Sequence, residues 1–171
     1  MLIDQIDSRA FTPQRLRSFL DSHHAHYTLT THATAFTARE VAAAEHLPPR
    51  EVAKTVVIFG DGTYQMIVIP ASKLVDFHEV RPTLGLAQVR LATEDELAKL
   101  FPDCELGAAP PFGDLYGFPV YLDASLAGQD TIAFNVGTHR EVIHTRMVEY
   151  RRLVSPHIIS FVREPAAAHG W

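Results

Sequence analysis

Residues 50–62 read REVAKTVVIFGDG, an apolar run of strand length that ends in a glycine-rich turn. Valine, isoleucine and phenylalanine within residues 55–59 predict a buried β-strand, and residues 60–62 predict a tight turn. A second apolar run, residues 64–69, follows directly. The two runs therefore predict a β-hairpin.

Lys54 stands just before this apolar run, and a charged side chain at such a position has two explanations. It is either an end-cap, whose apolar stem lies along the strand while the ammonium stays in water, or a cation held in place for a function. An arbitrary lysine is more often the first. The rest of the sequence has to decide between them.

The composition is that of one globular domain. The chain has 171 residues, 47% hydrophobic and 20% charged, which is enough for a single sizeable core. Its one cysteine, Cys104, excludes an internal disulfide and fits a reducing compartment. No run approaches the roughly 20 apolar residues that span a bilayer, and the first residues lack the pattern of a signal peptide. We expect a cytoplasmic protein with one domain over residues 1–164 and a disordered tail over residues 165–171.

The charge balance limits the partners. A chain with a formal net charge of −5 is not expected to coat nucleic acid, because that binding depends on phosphate neutralisation. We expect neither a DNA partner nor a membrane partner. A local basic patch that meets one end of an RNA is compatible with this charge. The candidate residues for it are Arg39, Arg50, Lys54, Lys73, Arg146, Arg151 and Arg152.

Three histidines, His23, His24 and His26, lie close together in the sequence. They follow a predicted helix, and no cysteine or carboxylate pattern near them completes a metal site. The sequence therefore predicts no metal and no other cofactor.

Helix start signals recur along the chain. Thr12 and Pro13 predict a hydroxyl N-cap and a first helical proline for a helix over residues 14–22. Thr37 and Thr93 each have capping-box spacing, and they predict helices that end near residues 46 and 101. Further strands are predicted at 27–30, 88–91, 120–122, 132–135, 142–145 and 158–162, and further helices within 72–84 and at 147–153.

Strands and helices are interspersed without the strict alternation of a doubly wound sheet. We therefore predict an α+β fold, a single domain with a mixed, barrel-like β-sheet surrounded by helices.

Three segments are hard to explain by packing alone. The first is Ala53-Lys54-Thr55. The second is GAAPPFG, residues 107–113, whose glycines and prolines fix a backbone without filling a core; it is either a rigid turn or a loop whose N–H groups meet a ligand. The third is FNVGTHREVI, residues 134–143, where polar groups follow a strand beside a glycine. A lone histidine such as His139 is otherwise most often a surface or hydrogen-bonded residue.

The usual catalytic signatures are missing. The chain has no nucleophile elbow, no phosphate loop and no zinc-protease motif. Nothing near Cys104 in the sequence lowers the pKa of its thiol, so we predict an unreactive cysteine.

Taken together, the three segments resemble the YbaK/EbsC family, the free-standing relatives of the editing insertion domain of bacterial prolyl-tRNA synthetases. The resemblance covers roughly residues 13–162. It rests on the order and spacing of several short motifs. The matching residues are Lys54, Gly107, Pro111, Phe112, Gly113, Gly137, His139 and Ile143.

This resemblance implies trans-editing, the hydrolysis of the ester that joins a small, wrongly attached amino acid to a tRNA. It implies that Lys54 is the main functional residue and that the loop with Gly107, Pro111, Phe112 and Gly113 lines the pocket for the aminoacyl end. The partner would be the acceptor end of an aminoacyl-tRNA, with a synthetase as a further candidate partner.

Other residues and other functions stay open at this point. Asn135, Thr138 and His139 beside Gly137 are candidates for contacts to the substrate's amino group or for supporting roles. The alternatives to a deacylase are a non-catalytic adaptor that binds a tRNA or a synthetase, and a hydrolase of free amino-acid esters.

Overall fold

The structure is a computed structural model that describes residues 12–163 of the chain. The tail predicted over residues 165–171 lies outside this range, as do both ends of the domain predicted over residues 1–164. In chain order the elements are α1 (Gln14–Ser22), β1 (Thr28–Thr31), α2 (Ala38–Ala44), β2 (Ala53–Gly60), β3 (Thr63–Pro70), β4 (Leu74–Val75), α3 (Phe77–Leu84), β5 (Val89–Leu91), α4 (Glu94–Leu100), β6 (Val120–Asp123), α5 (Ala124–Ala127), β7 (Thr131–Asn135), β8 (Glu141–Arg146), α6 (Met147–Val154), β9 (His157–Ile159) and β10 (Val162–Arg163).

A five-stranded mixed sheet is the centre of the fold, with the strand order β5-β2-β3-β6-β9. β5, β2 and β3 pair antiparallel, whereas β6 pairs parallel with both β3 and β9. The remaining strands form an antiparallel sheet, β1-β8-β7, and a small pair, β10-β4. The α+β fold with a mixed sheet is confirmed. The sheet is not closed into a barrel, because β5 and β9 each pair on one side only.

The predicted hairpin is formed by β2 and β3, with Lys54 opposite Ile69 in the register. Its two-residue turn has positive φ angles at both Asp61 and Gly62, as a type I′ turn requires. The Asp61 carboxylate accepts hydrogen bonds from the N–H groups of Ala87 and Gln88, which fixes the turn against the loop before β5. The hairpin is thus a rigid support for the residues at its open end.

A single parallel bridge joins the two larger sheets, between Val52 and Ala133. Lys54 and Asn135 each lie two residues further along their own strands, so the bridge places both at the same end of the junction. Helix α2 covers the junction with Val41, which packs in one small apolar cluster with Val52 and Ala133. The open end of the hairpin is therefore fixed relative to the end of β7.

Local details differ from the sequence predictions in three places. Thr12 does not cap α1: its hydroxyl donates to the buried Glu141 carboxylate at 3.2 Å, and Pro13 stands at the N-cap without a side-chain bond. The strand predicted over residues 158–162 is two short strands, because the buried Phe161 between them donates its N–H to Asp123. β4 and α5 were not predicted, since two and four residues are too few to carry a periodic pattern.

Among the described residues, no helix has both the length and the apolar character that crossing a bilayer requires.

Candidate active site

A cavity of about 470 Å³ opens at the junction of the two sheets. Its walls come from four segments: the start of α2, the first residues of β2, the loop around Gly107, and the end of β7. A further wall is formed by Ala71 and Leu74, which follow β3. The lining residues are Phe36, Thr37, Ala38, Arg39, Ala53, Lys54, Thr55, Ala71, Leu74, Gly107, Ala109 and Asn135.

Lys54 is a half-buried cation in this cavity. Within residues 12–163 its ammonium forms no hydrogen bond and no ion pair. Burial lowers the pKa of Lys54, and the positive charge of Arg39 lowers it further. A lysine that served only as a strand end-cap would place its charge in water. Here the charge is partly desolvated beside a second cation, which is an arrangement that favours an anionic ligand.

Arg39 is the second cation of the cavity, although the sequence predicts it only as a member of a basic patch. It lies in the first turn of α2, where the Thr37 hydroxyl caps the helix by accepting the Glu40 N–H. Its guanidinium makes one long hydrogen bond, at 3.4 Å, to the carbonyl of Ser72. The predicted capping box was therefore the signal that could have located Arg39, because it fixes where the first turn begins.

The candidates for a single basic patch do not all gather at this site. Arg39 and Lys54 share the cavity, but Arg146 lines a separate one with His26 and Glu51. Arg152 is paired with Glu149 at 2.6 Å. The positive charge that the structure concentrates at the candidate site is that of Arg39 and Lys54.

Asn135 lies in the cavity wall at the end of β7. Its Oδ1 atom is buried and has no hydrogen-bond partner within the described residues. A buried acceptor without a partner costs free energy, so such a group in a cavity indicates a place for a donor from a ligand.

The loop that contains Gly107 forms part of the wall of the same cavity. Gly107 has a φ of +83°, and Ala109 lies two residues further on. Neither of their N–H groups donates a hydrogen bond within residues 12–163, whereas the Ala108 N–H between them donates to the carbonyl of Glu105. Two free N–H groups on one wall can stabilise a negatively charged oxygen.

A second cavity of about 250 Å³ lies beside the first and shares Gly107 and Ala109 with it. Its other walls are mostly apolar and include Phe101 and Cys104. Burial raises the pKa of Cys104 to about 11, so the thiol is protonated at neutral pH. This agrees with the interpretation of Cys104 as an unreactive residue.

His139 lies behind the loop that contains Gly107 and does not line the first cavity. Its side chain is 6% exposed, and its Nε2 atom lies 2.6 Å from the carbonyl oxygen of Leu106. Its backbone N–H donates to the Glu105 carboxylate at 3.2 Å. The nearest atom to a Cβ built on Gly107 is His139 Cε1, at 3.6 Å. His139 therefore fixes the position of the loop from behind.

Gly137 and Thr138 shape the turn before His139. Gly137 donates its N–H to Ala108 at 2.8 Å and has a φ of +100°; a Cβ there would lie 2.7 Å from a carbon of Pro13. Thr138 accepts the Arg140 N–H with its hydroxyl at 3.3 Å. Both residues thus hold backbone geometry around the loop.

Pro111, Phe112 and Gly113 lie on the core side of the loop. The Pro111 carbonyl accepts a hydrogen bond from the buried Tyr150 hydroxyl at 2.7 Å. Phe112 is 2% exposed and packs in the main apolar core, and a Cβ on Gly113 would lie 2.7 Å from the carbonyl oxygen of Phe118. The structure thus brings Lys54, Gly107 and Asn135 together at the cavity and places the other predicted site residues around them.

Residues 32–153 of the chain match the family model of the aminoacyl-tRNA editing domain. The chain is also 26% identical, over 157 residues, to the multifunctional Ser/Thr-tRNA deacylase ProXp-y of Escherichia coli strain K12. That alignment covers 89% of this chain and 93% of the Escherichia coli protein.

Two solved structures have the same fold. One, described as a candidate trans-editing enzyme for prolyl-tRNA synthetase, has a TM-score of 0.76 and 22% identity, over 88% of this chain and 96% of that chain. The other is a scaffold for epitope backbone grafting by computational design, with a TM-score of 0.77 and 21% identity, over 88% and 97% of the two chains. At these identities the likeness concerns the fold alone.

Proposed function

Because the chain belongs to the aminoacyl-tRNA editing domain family, we propose that it is a trans-editing deacylase that hydrolyses the ester of a mischarged tRNA. The amino acid is small, such as alanine, cysteine, serine or threonine, and the tRNA is the proline tRNA. The name of ProXp-y as a Ser/Thr-tRNA deacylase supports the substrate class. The observation that carries the proposal is the unpaired, half-buried Lys54 ammonium, in a cavity that Gly107 and Ala109 also line.

The energetics of amino-acid selection explain why such an enzyme is needed. A hydrophobic pocket separates substrates that differ by one methylene group by only about 1–3 kcal/mol, so a synthetase releases some tRNA with the wrong small residue. A second site that admits only small residues then removes the errors. A synthetase that makes these errors is the natural protein partner of such an enzyme.

In this proposal the Lys54 ammonium stabilises negative charge on the substrate. An aminoacyl ester is already activated, so its hydrolysis needs orientation and charge stabilisation more than a strong nucleophile. The Lys54 ammonium, with Arg39 beside it, meets either the terminal phosphate or the charge that develops on the ester. Desolvation strengthens both interactions, because the local dielectric constant is lower than that of water.

The reaction adds one water molecule across the ester. The water oxygen bonds to the ester carbonyl carbon and the carbonyl oxygen becomes an oxyanion, which the N–H groups of Gly107 and Ala109 stabilise. When the oxyanion collapses, the bond from the carbonyl carbon to the ribose oxygen breaks, and that oxygen takes a proton from the water. The products are the free amino acid and a tRNA with a free terminal hydroxyl group.

No carboxylate and no histidine lines the cavity among the described residues. The attacking water therefore has no carboxylate or imidazole base beside it there, and we assign its orientation to the vicinal hydroxyl of the terminal ribose. Asn135 contributes to binding: its unpaired Oδ1 accepts a hydrogen bond from the α-ammonium group of the amino acid.

The remaining site residues keep the loop in place. His139 fixes it from behind through the Leu106 carbonyl, and Gly137 pairs with Ala108. Pro111, Phe112 and Gly113 anchor its far end in the core, and Thr138 closes the turn before His139. These residues act on the substrate through the loop rather than by direct contact.

The test is deacylation of a panel of mischarged tRNAs, which also separates the alternatives. The proposal predicts rapid release of small residues from proline tRNA. An adaptor would bind these tRNAs without releasing the amino acid. A hydrolase of free esters would act equally well on an aminoacyl ester that lacks the tRNA body.

A further inference from the structure

Phe36 is a large apolar side chain in an unusual place. It is 68% exposed and lies on the rim of the cavity that holds Lys54 and Arg39. Single exposed hydrophobic residues are normal on a protein surface. Phe36 differs from those because its backbone and its ring are both held by neighbouring groups.

The backbone of Phe36 is fixed on both sides. Its own N–H donates to the Glu40 carboxylate at 3.1 Å, and the N–H of Ala35 donates to the carbonyl of His139 at 3.0 Å. The Phe36 ring rests against the buried His139 ring, with 5.0 Å between the ring centroids. His139 in turn is held by the Leu106 carbonyl. The exposed ring is therefore presented in one position before any ligand arrives, which lowers the entropic cost of binding.

An aromatic ring beside two cations matches the chemistry of a nucleotide. The face of a base stacks on an aromatic side chain, and this contact is worth about 1–3 kcal/mol for each base in single-stranded nucleic acids. Lys54 and Arg39 supply the positive charge that a phosphate requires. A purely apolar ligand would gain nothing from the two cations.

We propose that Phe36 is the stacking platform for the terminal adenine of the tRNA. This inference rests on the proposed function: the ester and the adenine are carried by the same ribose, so the base must lie at the rim when the ester is inside the cavity. Every tRNA ends in this adenosine. The contact therefore strengthens binding of any acceptor end and does not select among amino acids.

The first experiment tests whether the effect of the Phe36 side chain depends on the terminal adenine. Deacylation is measured for wild type and Phe36→Ala, on mischarged tRNA with the normal terminal adenine and with an abasic terminal nucleotide. Val148→Ala is the matched control, because Val148 is 67% exposed on α6 and does not line the cavity. We expect Phe36→Ala to raise KM about 5- to 160-fold on the normal substrate, the range that one base stack implies.

On the abasic substrate, Phe36→Ala should have almost no further effect, and Phe36→Trp should keep the wild-type KM on the normal substrate. A purely structural role for Phe36 would lower activity equally on both substrates. That equal loss, or an unchanged KM in Phe36→Ala on the normal substrate, would overturn the inference.

The second experiment does not depend on hydrolysis. The chain has a single tryptophan, Trp171, so the double variant Trp171→Phe, Phe36→Trp has one tryptophan, at the proposed platform, and its emission is excited selectively. We expect an oligonucleotide that ends in CCA and carries no amino acid to quench this fluorescence. The same oligonucleotide with an abasic end should quench it far less. Equal quenching, or none, contradicts the stacking. Base-dependent quenching together with no deacylation by wild type supports the stacking and refutes the proposed reaction.

Discussion

At the scale of the residue, the structure favours one of the two explanations for Lys54. The ammonium is partly buried next to Arg39 and has no acidic partner among the described residues, so its pKa is lowered. Such a site costs free energy in the ligand-free protein, and a bound anion offsets that cost. Perturbed groups of this kind are common at functional sites. The position of Lys54 was predicted from the sequence, but its environment was not, because Arg39 and Asn135 lie far from it along the chain.

The pH dependence of the reaction follows from this environment. If protonated Lys54 is required, kcat/KM falls as the pH rises through its pKa, which lies below that of an ordinary lysine. Arg39→Gln removes a like charge, so it raises that pKa and moves the alkaline limb to higher pH. The measurement is a pH profile with spontaneous ester hydrolysis subtracted, and Arg151→Gln on α6 serves as the control. An alkaline limb at the same pH in both variants would show that the charge of Arg39 does not affect the pKa of Lys54.

At the scale of the element, the local signals were enough to predict much of the fold. The hairpin β2-β3 follows from two apolar runs around Asp61-Gly62, and the capping box at Thr93 and Glu96 starts α4 as predicted. The loop over residues 107–113 was harder to interpret, because its composition does not show which of its residues face the core. Tyr150 binds the Pro111 carbonyl from a helix almost forty positions away, and no local pattern reveals that contact.

Gly113→Ala tests the anchoring of this loop. The added Cβ would lie 2.7 Å from the Phe118 carbonyl oxygen and 2.6 Å from a Val120 methyl group. We expect a loss of about 1–3 kcal/mol in the free energy of unfolding, since neither neighbour has room to move. Gly128→Ala is the control, because its Cβ would lie 3.6 Å from the nearest atom, and its stability should change by less than about 0.5 kcal/mol. Equal melting temperatures for the two variants would mean that the loop is not packed as described.

The rigid loop also predicts a narrow range of substrates. The loop is held by His139 and Gly137 behind it and by Phe112 in the core, so it cannot retreat to admit a large side chain. We expect alanine, serine and threonine to be released from tRNA at least tenfold faster than phenylalanine or tyrosine, at equal enzyme concentration. Efficient release of the two aromatic residues would contradict a sieve based on size.

At the scale of the whole molecule, the family predicted from the sequence is confirmed by the match over residues 32–153. The α+β class is confirmed as well, although the sheet stays open. The cavity could not be predicted as a whole, because its walls come from segments far apart in the sequence, two of which are joined by the bridge between Val52 and Ala133. Of the residues predicted to form a basic patch, Arg39 and Lys54 line the cavity, whereas Arg146 lines a separate one.

The overall charge predicts modest dependence on salt. The chain has a formal net charge of −5, and among residues 12–163 the cations that line the cavity are Arg39 and Lys54. Each phosphate contact to a single strand contributes about 0.7 to the slope of log affinity against log salt, so two to four contacts give a slope of about 1.4 to 2.8. The slope is measured by titrating the protein, at several salt concentrations, with a tRNA acceptor end that carries no amino acid. A slope near zero would exclude phosphate contacts, and a slope above about 5 would require a much larger basic surface.

The central claim is that the protein uses the Lys54 charge to cleave the ester, and substitution of this residue tests it most directly. Lys54→Met keeps the apolar stem and removes the charge. Because burial lowers the pKa of Lys54, folding disfavours its charged form, so the variant should melt at the same temperature as wild type or higher. Lys54→Arg should recover little activity, because a planar guanidinium does not replace a compact ammonium.

The measurement is single-turnover hydrolysis of the best mischarged tRNA, with thermal melts of each variant alongside. The loss of one aimed donor is worth about 2.7–4 kcal/mol of transition-state stabilisation, so we predict that Lys54→Met hydrolyses the ester about a hundredfold more slowly, or worse. Hydrolysis by Lys54→Met at the wild-type rate, with the fold intact, would contradict the account and leave Lys54 as a strand end-cap.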